Sequence, residues 1–183
     1  MRLDELVTGP VYLVTNVLYM YLRADPAYLP ILSTFFHRIV RGEIEARIGV
    51  PVLDELFYRL LLAHLRDASG GDPLDVLRKD LSGAIAAHGG RIADSIRQLV
   101  NLPNMALVGV ESGDAEGMFS NIIQHSLLPR DALHLAIMQR LGIAQVASDD
   151  RDFDRVTAVE RHWIINPAKP NNVAVKGGGD DND

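Results

Sequence analysis

Acidic residues occur at three places in the chain where carboxylates could act together on one substrate. They are Glu55, Asp131 and the group Asp149, Asp150 and Asp152. Carboxylates that converge repel one another unless a cation lies between them, and hard oxygen ligands select Mg²⁺ or Mn²⁺. The chain has no cysteine, so any metal must be held by Asp, Glu or His. A site of this kind suggests phosphodiester hydrolysis, in which the metal activates water and stabilises charge on the phosphate.

Each of these residues also has an interpretation without chemistry. Asp131 could cap the helix that it begins, and Glu55 could be a solvated charge in a first helical turn. The segment 149–154 could be a polar loop. Arg130 could contact a phosphate or pair with a neighbouring acid. His134 lies one turn after Asp131 beside apolar residues, a setting typical of a buried histidine with a structural role.

Short apolar runs alternate with amphipathic segments, which favours a parallel sheet covered on both faces. Strands are predicted in 11–18 (closing at Thr15-Asn16), 46–50, 105–110, 143–148 and 162–166. Helices are predicted at 19–22, 28–41, 51–67, 72–87, 91–100, 114–124 and 131–141, with a break at His88-Gly89-Gly90. Sites in such sheets lie beyond the carboxyl ends of the strands. We therefore expect 14–16, 51–55 and 148–152 to meet at one edge.

Composition bounds the class of protein. The 183 residues predict a single domain over 1–167, followed by a flexible acidic tail over 168–183. The net charge of −6 argues against a large non-specific nucleic-acid surface, which would be basic. No apolar run reaches the roughly 18 residues of a membrane span, and the acidic N-terminus does not read as a signal peptide. A cytoplasmic protein is expected.

With these residues in place, the chain resembles the PIN-domain family and looks most like the VapC-type toxins. The resemblance extends from about Val11 to Asn166 and rests on an ordered set of segments. They are Thr15-Asn16-Val17-Leu18, Glu55, Arg130-Asp131-Ala132-Leu133-His134-Leu135-Ala136 and Ala147-Ser148-Asp149-Asp150-Arg151-Asp152-Phe153. The stretch around 68–104 exceeds what a minimal member needs, so a helical insertion is predicted there.

The resemblance implies a three-layer α/β/α sandwich with a central parallel sheet of about four to five strands. It implies an endonuclease of toxin–antitoxin type that cuts RNA with Mg²⁺ or Mn²⁺. It further implies a homodimer and a small antitoxin protein that inserts into the acidic groove. A small phosphate ester remains an alternative substrate on the residues alone.

The resemblance also assigns roles to individual residues. The metal ligands would be Glu55, Asp131 and Asp150, with Asp152 as an auxiliary acid or a ligand of a second metal. Asp149 is a less favoured substitute for Asp150. Three further residues would not bind the metal themselves but would hold its ligands or a water molecule in place through hydrogen bonds: Thr15, Asn16 and Ser148.

Val14 departs from the family pattern, which places a metal-binding aspartate immediately before the Thr-Asn pair. Valine has no donor atom, so the resemblance implies weakened metal binding and impaired hydrolysis. Two explanations are open: an inactivating substitution in an active nuclease, or a natural pseudo-enzyme that binds RNA or an antitoxin without cutting. The first is favoured because Glu55, Asp131 and Asp150 are all present.

Overall fold

The computed structural model describes residues 2–6 and 8–164. The predicted acidic tail and the end of the predicted last strand lie outside the described residues. Within the part described, no helix is both long enough and apolar enough to span a bilayer.

Five parallel strands form one sheet in the order β3-β2-β1-β4-β5. Their bounds are β1 Gly9–Leu13, β2 Ile44–Gly49, β3 Met105–Val108, β4 Gln145–Ala147 and β5 Glu160–His162. The chain leaves β1 towards β2 and β3 on one side and later adds β4 and β5 on the other. The carboxyl ends of β1 and β4 therefore flank the point where strand order reverses, which is where open α/β sheets bind ligands.

Seven α-helices connect the strands over the described residues. Their bounds are α1 Thr15–Leu22, α2 Leu29–Val40, α3 Val50–Ser69, α4 Pro73–Lys79, α5 Leu81–Val100, α6 Ser112–His125 and α7 Pro129–Leu141. Short 3-10 helices cover Leu3–Glu5 and Arg151–Arg155.

The two faces of the sheet bury separate apolar clusters, because successive strand side chains point to opposite sides. Val11 and Leu13 pack into a cluster with residues of α1, α2, α3 and α5. Tyr12 and Val146 face the other way, against residues of α7 such as Ile137. Helices thus cover both faces of a five-stranded parallel sheet, as the predicted three-layer sandwich requires.

Some predicted boundaries were wrong. The apolar run 11–18 does not stay extended to Thr15: β1 ends at Leu13, and Thr15 and Asn16 already belong to α1. The last strand begins at Glu160, two residues before its predicted start.

The predicted break at Gly89-Gly90 was also wrong, because α5 continues through both glycines. The break lies at Asp80, whose side chain accepts a hydrogen bond from the Gly83 N–H at 2.8 Å and caps α5. Gly89 is buried, and a Cβ at this position would lie against the side chains of Ile85 and Phe57. Packing against α3 offsets the cost of about 1 kcal/mol that a glycine adds to a helix interior.

Candidate active site

A small cleft of about 130 Å³ opens at the carboxyl edge of the sheet. It is lined by Val14, Thr15, Asn16, Glu55, Arg59, Asp131, His134, Ser148, Asp149 and Asp150. The neighbouring parallel strands β1 and β4 end at Leu13 and Ala147, so the residues that follow them lie side by side. The three segments predicted to meet at one edge are all represented in this cleft.

Three carboxylates come together beside the cleft. Each of Asp131, Asp150 and Asp152 offers an oxygen, and these oxygens lie within 4.8 Å of one another. The loop after β4 fixes two of them, because the Asp150 N–H donates to Ser148 Oγ at 3.0 Å. Asp150 Oδ1 in turn accepts a hydrogen bond from the Asp152 N–H at 2.8 Å. Ser148 is fully buried, so it anchors the start of this loop to the core.

Asp131 contributes its carboxylate from the first turn of α7. The N-cap position of that helix is Leu128, and Pro129 begins it, so Asp131 is not the helix cap. Burial raises the pKa of Asp131 to about 6, and the charges of Asp150, Asp152 and Glu55 add to the shift, while Arg130 opposes it. A nearby cation would favour the charged form of Asp131, which burial and the neighbouring negative charges disfavour.

Glu55 reaches the same cleft from α3 but outside the group of three. Thr15 Oγ1 donates to Glu55 Oε2 at 2.8 Å, and Arg130 Nη1 lies 3.1 Å from the same oxygen. Arg59 Nη1 is 3.8 Å from Oε1. Of the two interpretations of Arg130, the structure shows the ion pair with an acid. The Glu55 charge is therefore balanced by arginines.

Arg59 is a cleft residue that the sequence analysis missed. It lies four residues after Glu55 on one helix, a spacing that brings side chains together and could have revealed it. Its guanidinium also stacks over the Tyr19 ring, 4.6 Å from the centroid.

His134 lies between the cleft and the sheet, and only 2% of it is exposed. Its Nδ1 is 3.0 Å from the Tyr12 hydroxyl, a contact that the sequence analysis also missed. Burial lowers the pKa of His134 to about 4, so the ring is neutral at pH 7. Gly49 leaves room for this pair, because a Cβ there would collide with the Tyr12 hydroxyl.

The end of β1 supplies one apolar and one unpaired polar group to the cleft. Val14 is 6% exposed and packs in the cluster that holds Ile137, with no donor atom for a ligand. Asn16 is 8% exposed, and its Oδ1 has no hydrogen-bond partner among the described residues. An unpaired buried carbonyl costs about 1–3 kcal/mol.

The donor set fits a hard divalent cation. Carboxylate and amide oxygens are the ligands that Mg²⁺ and related ions prefer. Asp131, Asp150 and Asp152 supply the carboxylates. Asn16, whose buried Oδ1 has no hydrogen-bond partner among the described residues, is one of the residues that line the cleft beside them. Asp149 also lines the cleft but is not one of the three clustered acids.

Comparison with known proteins gives one family. The PIN domain profile matches residues 11–159, which is most of the chain. No curated protein matches the sequence.

Three solved structures with the same fold are distant from this chain in sequence. The VapBC2 complex from Rickettsia felis bound to a promoter DNA fragment shares 11% identity at a TM-score of 0.53, covering 85% of this chain and 98% of that one. A toxin–antitoxin complex from Klebsiella pneumoniae shares 13% identity at a TM-score of 0.53, and the match covers 85% of this chain and 99% of that one. VapC20 from Mycobacterium tuberculosis, a toxin that cleaves the sarcin–ricin loop, shares 17% identity at a TM-score of 0.50, and the match covers 80% of this chain and 95% of that one. At these identities the likeness concerns the fold.

Proposed function

The chain belongs to the PIN domain family, and on that premise we propose that it is a ribonuclease dependent on Mg²⁺ or Mn²⁺ and impaired by Val14. The observation that carries the proposal is the group of Asp131, Asp150 and Asp152, with oxygens within 4.8 Å of one another. They lie beyond the carboxyl ends of the strands, where sites of α/β sheets form.

In this proposal Asp131 and Asp150 hold the cation, and Asp152 is the auxiliary acid. When bound, the cation supplies an electrophile for the phosphate and activates water. Ser148 orients the acidic loop through its hydrogen bond from the Asp150 N–H. Asp149 stays the less favoured alternative to Asp150.

Glu55 is proposed to join Asp131 and Asp150 as a metal ligand when the substrate binds. Its present partner Arg130 is half exposed, with 51% of the side chain accessible, and can turn towards a phosphate. Guanidinium groups bind phosphate through paired hydrogen bonds, so the exchange keeps Arg130 paired while it frees Glu55. Thr15 holds the Glu55 carboxylate on the cleft wall during that exchange.

The size of the cleft favours a polymeric substrate. At about 130 Å³ it is smaller than the roughly 300–1,000 Å³ of sites that enclose a small molecule. It has room for a cation and a phosphate group, while bases and sugars would lie on the surface outside. This observation supports RNA over a small phosphate ester.

The partners are proposed from the named neighbours. Two of them are toxin–antitoxin complexes, and the third is a toxin that cleaves the sarcin–ricin loop. We extend to this chain a small antitoxin that covers the acidic cleft and an RNA substrate. A homodimer remains a prediction from the resemblance, and a cytoplasmic location remains a prediction from the composition of the chain.

A second candidate function is a binding module that occupies RNA or an antitoxin without cutting. The specific observation in its favour is Val14, which brings an apolar side chain, 6% exposed, to a wall of the cleft. On this alternative the arginines Arg59 and Arg130 neutralise Glu55 permanently.

The substitution Val14→Asp tests the proposal. We expect cleavage of a structured RNA to rise by at least about 100-fold in Mn²⁺ and to stop in EDTA, because a bound cation supplies several kcal/mol of charge stabilisation. The measurement is a gel assay of RNA fragments, with Val14→Leu as the matched control that adds no donor atom. Adding Asp131→Asn to Val14→Asp should abolish the gain.

Two results would contradict it. Tight RNA binding without cleavage by Val14→Asp would favour the binding module. Hydrolysis of a small phosphate ester by Val14→Asp, with intact RNA, would favour the phosphohydrolase.

A further inference from the structure

The end of β1 carries one buried side-chain oxygen that has no hydrogen-bond partner among the described residues. Val14 offers no donor atom, and the Thr15 hydroxyl already donates to Glu55 Oε2 at 2.8 Å. Asn16 comes next, on the first turn of α1, with 8% of the residue exposed. Its Oδ1 has no hydrogen-bond partner among the described residues, yet the residue lines the cleft.

We propose that Asn16 Oδ1 is a direct ligand of the divalent cation, in place of the carboxylate that position 14 lacks. The inference rests on the metal site of the proposed function and changes its ligand set. Asn16 and the acids Asp131 and Asp150 line one cleft. Side-chain amide oxygens are established ligands of hard cations, and coordination would give this buried carbonyl its missing partner.

The other neutral oxygens of the cleft are already committed. Thr15 is bonded to Glu55, and Ser148 Oγ accepts the Asp150 N–H at 3.0 Å. Asn16 is therefore the one polar side chain at the end of β1 whose oxygen is buried and unpaired within the described part of the chain. A residue that supports a metal ligand does so through a hydrogen bond to that ligand. Asn16 Oδ1 makes no such bond among the described residues, so direct coordination is a different role from support.

Charge balance explains how such a site works without an acid at position 14. Asp131, Asp150 and Asp152 bring three negative charges to a cation with two positive charges. A carboxylate at position 14 would add a fourth negative charge, whereas an amide adds an oxygen and no charge. The chain as it stands should thus bind Mn²⁺. A carboxylate in that place would bind it more tightly, because a charged oxygen attracts the cation more strongly than a neutral one does.

The test is the affinity for Mn²⁺ alone, measured by calorimetric titration of the full chain after EDTA treatment. Asn16→Ala should weaken binding at least about tenfold, since the loss of a group that only supports the ligands already costs about 10–100-fold. Asn16→Asp has nearly the same shape and should tighten binding about tenfold, because a carboxylate replaces the amide. Asn101→Ala is the matched control: this exposed asparagine ends α5, away from the cleft, and its change should leave the affinity as it was.

A second readout locates the ion directly. In crystals grown with Mn²⁺, the anomalous peak should lie within roughly 2.0–2.6 Å of Asn16 Oδ1. A peak beside the three aspartates that lies farther than about 2.6 Å from Asn16 Oδ1 would overturn the inference. If Asn16→Ala fails to fold, Asn16→Asp carries the titration by itself, and an unchanged affinity in that variant is equally fatal.

The inference and the proposed function can fail separately. If Asp131→Asn weakens Mn²⁺ binding while both Asn16 variants bind like the parent chain, only the role of Asn16 is lost. If the Asn16 variants change the Mn²⁺ affinity but Val14→Asp cuts no RNA, the proposed ribonuclease function is refuted, and the proposal that Asn16 is a ligand is retained. No measurable Mn²⁺ binding by the parent chain would overturn the role of Asn16 outright.

Discussion

Single residues set the charge balance of the cleft. On one side of the cleft Asp131, Asp150 and Asp152 come together, with oxygens within 4.8 Å of one another. On the other side Glu55 is paired with Arg130 at 3.1 Å and approached by Arg59 at 3.8 Å. The three aspartates lack enough positive charge beside them, whereas Glu55 has two arginines. A cation is therefore proposed to bind at the aspartates.

The raised pKa of Asp131 makes stability depend on pH in a defined window. The folded-state pKa is about 6, above the usual 3.8, so the folded chain retains a proton that the unfolded chain releases. Stability without metal should therefore fall as pH rises from about 4 to 6 and stay lower above that. Asp131→Asn should remove this fall and stabilise the metal-free protein at pH 7.5 by about 1 kcal/mol, after allowance for partial exposure.

Urea unfolding in EDTA at pH 4.5 and 7.5 measures that effect. The same variant should lose Mn²⁺ affinity, so stability and metal binding change in opposite directions. An identical pH dependence in the parent chain and Asp131→Asn would show that burial does not shift this carboxyl group.

At the scale of elements, α7 is the helix on which the site depends, because it carries Asp131 and His134 towards the cleft. Its far end is fixed to the start of α6 by Arg140, which donates to Asp114 Oδ1 at 2.8 Å and to Oδ2 at 3.0 Å. Arg140 also bonds Glu111 Oε1 at 2.8 Å and the Gly109 carbonyl at 2.9 Å. Loss of this anchor should loosen the packing of α7 as a unit.

Arg140→Ala tests the anchor. The Asp114 side chain is only 1% exposed, so its carboxylate would be left buried without its counter-charge. We expect a loss of roughly 3 kcal/mol in the free energy of unfolding, near the low end for a broken buried pair because Arg140 is partly exposed. Urea denaturation at pH 7 gives the value. Arg97→Ala is the matched control, since its pair with Asp94 is exposed and should contribute below about 1 kcal/mol; equal losses would refute the anchor.

At the scale of the whole molecule, the reversal of strand order at β1 and β4 turns scattered residues into one site. Positions as far apart in sequence as Asn16, Glu55, Asp131 and Asp150 line a single cleft. A ligand that bridges them joins α1 and α7 to the loop after β4, and therefore stabilises the native fold over the unfolded chain.

Mn²⁺ should accordingly raise the melting temperature. At a concentration 100 times the dissociation constant, binding to the folded chain alone contributes about 2.7 kcal/mol. For a domain of this size that corresponds to a rise of roughly 5–10 °C, since each kcal/mol shifts the midpoint by about 2–4 °C. Scanning calorimetry with and without Mn²⁺ measures the shift, and EDTA should reverse it. A shift of equal size in Asp131→Asn/Asp150→Asn would place the ion elsewhere.

The sequence by itself determined the features that depend on local pattern. Alternating apolar runs and amphipathic segments predicted a parallel sheet covered by helices, and the motifs around Glu55, Asp131 and Asp150 predicted which residues would share an edge. The boundaries of the elements do not follow from local pattern alone, because local preference competes with tertiary packing. Gly89-Gly90 favours the end of a helix locally, but packing against α3 keeps α5 continuous through both residues.

Only the tertiary structure decided how those residues are paired. Asp152 joins Asp131 and Asp150, whereas Glu55 is held by Thr15, with Arg130 paired beside it. The Tyr12–His134 contact joins residues 122 positions apart, and no local signal marks it. Such pairings follow from distances set by the whole sheet and its helices, since hydrogen bonds and ion pairs act over a few ångströms and sequence spacing does not fix those distances across a fold.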